Sequence, residues 1–220
     1  MFPPPQPGVA ANVSAETHAH CDAVAAWGRA QWPDVRVIRE MALGARRVDV
    51  LFVMASDLVG VEIKGPKDST DRLAAQLTEY RYWLPLVYAA LDVKFKDKTK
   101  GVWIPNLLWI DGQVVTDEHA KYSKWKPHRD DLCCSRLLDL LWRDEAAAVA
   151  VRTGVIPGRV PKQFNRGKIL SMLARLLTGH DIVKQVCREL RARQLVGMGS
   201  DLPMRTEDTN GKTTGTKTLL

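Results

Sequence analysis

Asp49, Glu62 and Lys64 each stand within a short run of otherwise apolar residues, Val48 to Val53 and Val59 to Lys64. Aspartate is depleted in β-strands, so its place in the first run calls for a functional explanation. Two carboxylates converging from neighbouring strands make a site for a hard divalent cation such as Mg²⁺ or Mn²⁺, which prefers oxygen ligands and keeps several waters. The backbone carbonyl of Ile63 could supply a third oxygen. Lys64 beside them can orient or deprotonate a water, or neutralise charge building on a phosphate. These are the parts for metal-assisted hydrolysis of a phosphodiester. Without Asp49, the Glu62 and Lys64 pair would read as a solvated ion pair on an exposed hairpin.

The elements that must position these groups are the arms of an antiparallel hairpin, with Ala55-Ser56-Asp57 as the polar break. In the second arm Glu62 and Lys64 share one face of the pleat and Val61 and Ile63 the other. Asp49 joins the polar face only if paired positions sum to an odd number. That condition predicts an even loop, either a two-residue turn at Ser56-Asp57 or a four-residue loop at Ala55 to Leu58. A slip of one residue would turn Asp49 away, unless a bulge resets it.

Around the hairpin, the pattern predicts a helix from Ser14 to Gln31, with Glu16 and His20 one turn apart and Pro33 beyond its end. A short strand, Val35 to Ile38, follows and ends at Glu40. After Lys64, a loop leads into a helix with Asp71 in its first turn and Leu73, Leu77, Tyr80 and Leu84 as its apolar stripe; Gln76 lies beside that stripe. Leu86 to Leu91 is an apolar strand, and the strand-helix-strand order predicts a parallel crossover. Val102 to Ile110 and Gln113 to Val115 flank an Asp111-Gly112 turn. Leu132 to Val151 reads as one helix with Ala148 inward. Gly167 to Leu177 and His180 to Gln194 read as two more, a pair whose shape also suits a helix-turn-helix. The expected organisation is a mobile Pro-rich start (1–12), an α/β core (13–118), a basic helical extension (119–196) and a disordered tail (197–220).

The chain has 220 residues, 45% of them apolar, enough for a real core, and carries a net charge of +7 with a pI near 9.3. That balance favours a polyanionic partner such as nucleic acid. Cys21, Cys133, Cys134 and Cys187 show no C-x-x-C spacing and read as reduced thiols of a cytoplasmic protein. His18, His20 and Cys21 lack a second ligand pair at zinc spacing. No run of residues approaches a membrane span, and the first residues lack the pattern of a signal peptide. The most basic stretch lies between Arg159 and Arg193. Candidate contacts to a phosphate backbone are Lys67, Lys94, Lys96, Arg166, Lys168, Arg175, Lys184 and Arg188.

The Arg47-Val48-Asp49 entry, the Glu62-Ile63-Lys64 arm and the helix carrying Asp71-Arg72-Leu73 and Gln76 to Tyr80 resemble the PD-(D/E)XK nuclease superfamily, over about residues 14 to 115. Within it the chain looks most like the RecB-like and MmcB-like branches of bacterial or phage DNA-repair proteins. The resemblance implies a restriction-endonuclease-like core, a mixed central sheet flanked by helices, and a Mg²⁺- or Mn²⁺-dependent deoxyribonuclease in a bacterial or phage-infected cell. It makes Asp49 and Glu62 the metal ligands, Lys64 the catalytic lysine and Gln76 the helix glutamine placed against the site. An acidic residue of the first helix often completes such a site, so Glu16 is a candidate; Glu40 is its rival. The departure is at Val48, where the family's name-giving proline is missing. Many relatives cut as homodimers, and RNA remains an alternative to DNA as substrate. A second expectation, of another class, is a nucleic-acid-binding repair accessory protein that keeps the fold without the chemistry.

Overall fold

The computed structural model describes residues 15–100, 104, 106–118 and 134–194, and of residues 15–17 the backbone alone. The Pro-rich start, Cys133, the 121–129 connector and the 197–220 tail lie outside them.

The first helix, α1 (Ala15–Gln31), leads into an antiparallel meander, β1 (Arg36–Leu43), β2 (Arg46–Val53) and β3 (Leu58–Lys64). Then α2 (Leu73–Arg81) crosses over to β4 (Leu86–Asp92), which pairs parallel to β3 as the strand-helix-strand order predicts. β5 (Leu107–Asp111) adds parallel to β4, and β6 (Val114–Asp117) closes the sheet antiparallel. The six strands run in sequence order across one mixed sheet. The remaining helices are α3 (Cys134–Leu137), α4 (Arg143–Arg152), α5 (Arg166–Leu176) and α6 (Gly179–Ala192).

One sheet face is covered by α1, where Val24 and Ala25 pack on Val50, Phe52, Val59, Val61 and Ile63. The other carries α2 and α3 to α6 in one continuous apolar cluster with Ile38, Leu51, Val53 and Leu91. The sheet is thus buried on both faces, which explains why its central strands read as near-continuous apolar runs. Among the described residues, no helix is long and apolar enough to cross a membrane.

The C-terminal helices are fastened to the meander by polar contacts as well. Arg193 is buried and donates two bonds to the Glu145 carboxylate, at 2.7 and 2.5 Å, and one to the Leu140 carbonyl. The buried Arg36 of β1 reaches the carbonyls of Arg191 and Arg193, while Arg191 reaches those of Asp34 and Val53.

Several boundaries differ from the sequence reading. β1 does not end at Glu40 but runs through it to Leu43, because Glu40 takes a left-handed φ of 55° and the ladder resumes beyond it. Asp71 lies before α2 rather than in its first turn: the Ser69 hydroxyl accepts its N–H, and Leu73 N–H bonds back to Thr70. The helix expected over 132–151 is broken. A 3₁₀ turn at Leu138–Leu140 ends the first piece, and Trp142, with extended ψ, starts α4 with its N–H bonded to the Glu145 side chain. The break resets the helical phase, so Ala148 faces outward rather than inward. At the last hairpin Asp111 pairs with Val114, which places the turn at Gly112-Gln113, one residue later than expected.

Gly60 of β3 is fixed by packing. A Cβ there would meet Leu84 Cδ1 at 2.3 Å and Val48 Cγ2 at 3.2 Å. Gly60→Ala should therefore lower unfolding free energy by about 1–3 kcal/mol through overpacking, measured by urea denaturation; an unchanged midpoint would show that Leu84 gives way freely.

Candidate functional site

The register that brings the charged residues together is set by the β2–β3 loop. Val53 pairs with Leu58 and Val50 with Val61, so paired positions sum to an odd number as required. The loop is four residues long but spans Met54 to Asp57, one position earlier than expected, with Met54 N–H bonded to the Asp57 carbonyl. In this register Asp49 faces Glu62.

The ladder itself stops at Val50 and Val61, and there the strands part. In β1 and β2 the ladder pairs Arg39 with Val50 and Met41 with Val48 but skips Glu40 and Asp49 between them. Val48 and Leu51 are three apart yet join the same core cluster, so strict alternation is interrupted at this point. Asp49 uses the gap. Its Oδ2 accepts the Ile63 N–H at 2.6 Å, where a ladder carbonyl would otherwise stand. A residue's N–H and C=O leave a strand on the same edge, so the Ile63 carbonyl emerges on the side where Asp49 lies.

Glu62 is buried, 3% exposed, and is gripped from three directions. Lys64 Nζ donates to Oε1 at 2.8 Å, the Gln76 amide donates to the same oxygen, and the Tyr80 hydroxyl lies 2.9 Å from Oε2. That hydroxyl is also 2.6 Å from the Arg47 carbonyl, and its single proton can serve only one acceptor at a time. Among the described residues, Gln76 Oε1 is buried without a hydrogen-bond partner. Helix α2 holds Gln76 and Tyr80 against the strand through Leu73, Leu77 and Tyr80, and by an ion pair between Glu79 and Arg46.

Burial and then the adjacent Glu62 charge push the Asp49 carboxyl up to about 8, with Glu40 adding to the rise, while the Ile63 N–H and Lys64 oppose it. Glu40 lies beside Asp49, 3.5 Å from Arg47 Nη1. Glu16 falls in the first turn of α1, and its side chain lies outside the described residues. Among the described residues, no group of three or more acidic, histidine or cysteine side chains is placed to hold a metal. The donors that fit a hard cation are the Asp49 and Glu62 carboxylates and the Ile63 carbonyl, leaving other positions to water. A cation there would oppose the rise that burial and then the Glu62 charge impose on Asp49.

Sequence reading missed a second pair beside this cluster. His20 of α1 is buried, its Nε2 3.3 Å from Asp92 Oδ2 at the end of β4, and its ring borders Gly65. Cys21 beside it is buried, its thiol pushed up to about 12 by burial and then by Asp49. No spacing rule links residues so far apart in sequence; packing of α1 on the sheet brings His20 to Asp92, and the parallel β3–β4 pairing, Lys64 beside Leu91, sets Asp92 next to the Lys64 end of β3.

That pairing also places the loops after β3 and β4 at the Lys64 end. Lys67 is exposed in the first of them. Lys94 and Lys96 are exposed in the second, with Lys94 Nζ 4.5 Å from the Phe95 ring centre and Lys96 Nζ 5.5 Å from that of Trp109. Lys168, Arg175, Lys184 and Arg188 are exposed on α5 and α6. Arg166 is engaged instead by the Leu141 and Asp139 carbonyls, at 2.8 and 2.7 Å.

A family model described as Bacteriophage P4 protein cII matches residues 11–108, a little under half of the chain. No curated protein matches it. Among solved structures, a protein of unknown function from Silicibacter pomeroyi is 20% identical, over 48% of this chain and 70% of that one, with a TM-score of 0.39.

An acid whose folded value is raised binds more protons folded than unfolded between the two values. The Asp49 contribution to stability is therefore full below about 3.8 and is lost as pH rises to about 8. In metal-free buffer, Asp49→Asn should remove this loss, so its stability relative to wild type should grow between pH 5 and pH 8. Chemical denaturation across that range checks it; parallel curves for the two proteins would refute the assignment.

Proposed function

We propose that the chain is a metal-dependent nuclease of the PD-(D/E)XK type, acting on the phosphodiester bonds of DNA in the cytoplasm of a bacterial or phage-infected cell. The observation that carries the reading is the meeting of Asp49 and Glu62 where β2 and β3 part, with Lys64 bonded to Glu62 and Gln76 of α2 closing the other side. The order of α1, a three-stranded meander, a crossover helix and a parallel strand suits a restriction-endonuclease-like core. The matching family's name is that of a phage protein, in keeping with a phage setting, and names no activity.

In this reading Asp49 and Glu62, with the Ile63 carbonyl, hold Mg²⁺ or Mn²⁺. When bound, the ion supplies an acidified water and a counter-charge for the phosphate. The protein's own groups do the rest. Ile63 N–H fixes the Asp49 carboxylate, and Gln76 and Tyr80 fix Glu62, so the ligands need little reorganisation. Lys64, with 13% of its side chain exposed and its ammonium paired with Glu62, orients a water and offsets charge building on the phosphate. Lys67, Lys94 and Lys96 at the same end of the sheet, and the exposed cations of α5 and α6, contact the phosphate backbone.

A second reading, a nucleic-acid-binding accessory protein without cleavage, is favoured by the bonds already made to both Glu62 oxygens and by Glu40 being paired with Arg47. Plasmid nicking with added Mn²⁺ separates the two. Wild type should nick and Asp49→Ala and Lys64→Ala should lose at least about 100-fold in rate, the scale of a positioned acid–base group. Equal nicking by all three proteins, or none by any, would sink the nuclease.

A further inference from the structure

The helix break at Trp142 turns Ala148, which the sequence reading places inward, to the exposed side of α4. Arg143, Ala147 and Val151 recur at four-residue intervals along it, with Arg152 beside them. Val151 is 39% exposed. The chain after α4 turns back across this face. Gly154 and Gly158 take left-handed φ of 74° and 71°, and Ile156, 6% exposed, pins the turn by bonding to the Ala150 carbonyl at 3.0 Å. The result is an open groove of about 520 Å³ between α4 and the 158–162 segment.

Its lining is one-signed. Arg143, Arg152, Arg159 and Lys162 edge it, and no carboxylate is among the lining residues. Arg143 is steadied by Asp144 and the Phe164 carbonyl, and Arg152 by Gln185 and Glu189 of α6. Arg159 and Lys162 are exposed, and among the described residues no ion pair holds either.

We propose that this groove binds a single strand of nucleic acid, a second site that goes beyond the carboxylate cluster and does not depend on cleavage there. Cations spread along an open cleft match charges repeated along a polymer better than one small anion, and guanidinium forks suit phosphate oxygens. The apolar floor at Ala147 and Val151 takes sugar and base faces that a duplex keeps stacked inside.

The test uses the full chain carrying Lys64→Ala, in EDTA, so that cutting plays no part. A fluorescent oligothymidylate is titrated by anisotropy over a salt series. Adding Arg159→Ala and Lys162→Ala should weaken binding roughly tenfold at low salt and make the log–log salt slope shallower by about 1.4, two phosphate contacts on a single strand. The thermal midpoint should stay put, because both side chains are exposed. As an independent measurement, the oligonucleotide should protect Lys162 from acetylation in the unmutated groove. Unchanged affinity and slope, unprotected Lys162, or displacement of the strand by polyglutamate as effective as by polythymidylate would each overturn the proposal. So would the absence of binding by the parent at every salt concentration. Failure of the nuclease would instead show as lost nicking with this binding intact.

Discussion

Everything at the centre of this protein depends on one substitution in a hydrogen-bond pattern: a side-chain carboxylate, Asp49, stands in for a backbone carbonyl on the Ile63 N–H. A β-ladder that simply continued would leave no room for a polar cluster between two buried strands. One that stopped without a replacement would strand a buried donor, at a cost of about 1–3 kcal/mol. The Asp49 carboxylate resolves both. It ends the ladder, satisfies the donor, and faces Glu62 in the opening it has made. The left-handed Glu40 on the neighbouring strand belongs to the same disturbance, since it stands opposite Asp49 where the β1–β2 pairing is skipped.

A second constraint follows from charge. Two carboxylates in one buried place repel each other, and one lysine, one amide and one hydroxyl cannot fully compensate both. The fold tolerates this because the surroundings are rigid: Tyr80 is fully buried, Gly60 leaves only enough room for Leu84, and the Arg46–Glu79 ion pair fastens α2 to β2. Stability is given up locally and recovered in the two apolar layers on either side of the sheet, the usual relation between a strained site and its scaffold.

What was legible in the sequence follows the same logic. The hairpin and the crossover could be read from the apolar runs and the alternating Gly-Val-Glu-Ile-Lys arm, and the parity of the register followed from requiring Asp49 to share the face of Glu62. Gln76 was placed by family resemblance rather than by its own pattern, and it does meet Glu62. The exact loop could not be read, since Met54 to Asp57 and Ala55 to Leu58 have the same parity; they differ in register by one pair, which decides whether Asp49 stands opposite Glu62 or Lys64. The break before α4 was hidden because Leu137, Leu138, Leu141 and Ala148 fit a single helical stripe; the Glu145 cap on Trp142 interrupts it and leaves Ala148 exposed. The His20–Asp92 pair was invisible for a different reason, being a product of tertiary packing between the first helix and the fourth strand.

The fastening of α6 to the first strands has a further meaning during synthesis. The guanidinium of Arg36 is buried early in the chain, yet its acceptors are the carbonyls of Arg191 and Arg193. Cys187 and Arg191 in turn reach the hairpin at Asp57 and Val53. In a nascent chain emerging from the ribosome, all six strands are therefore synthesised before those partners exist. Until the last helix docks, the outer strands carry an unmatched cation and unmatched carbonyls, so the meander and the C-terminal helices reach their native state as one cooperative unit.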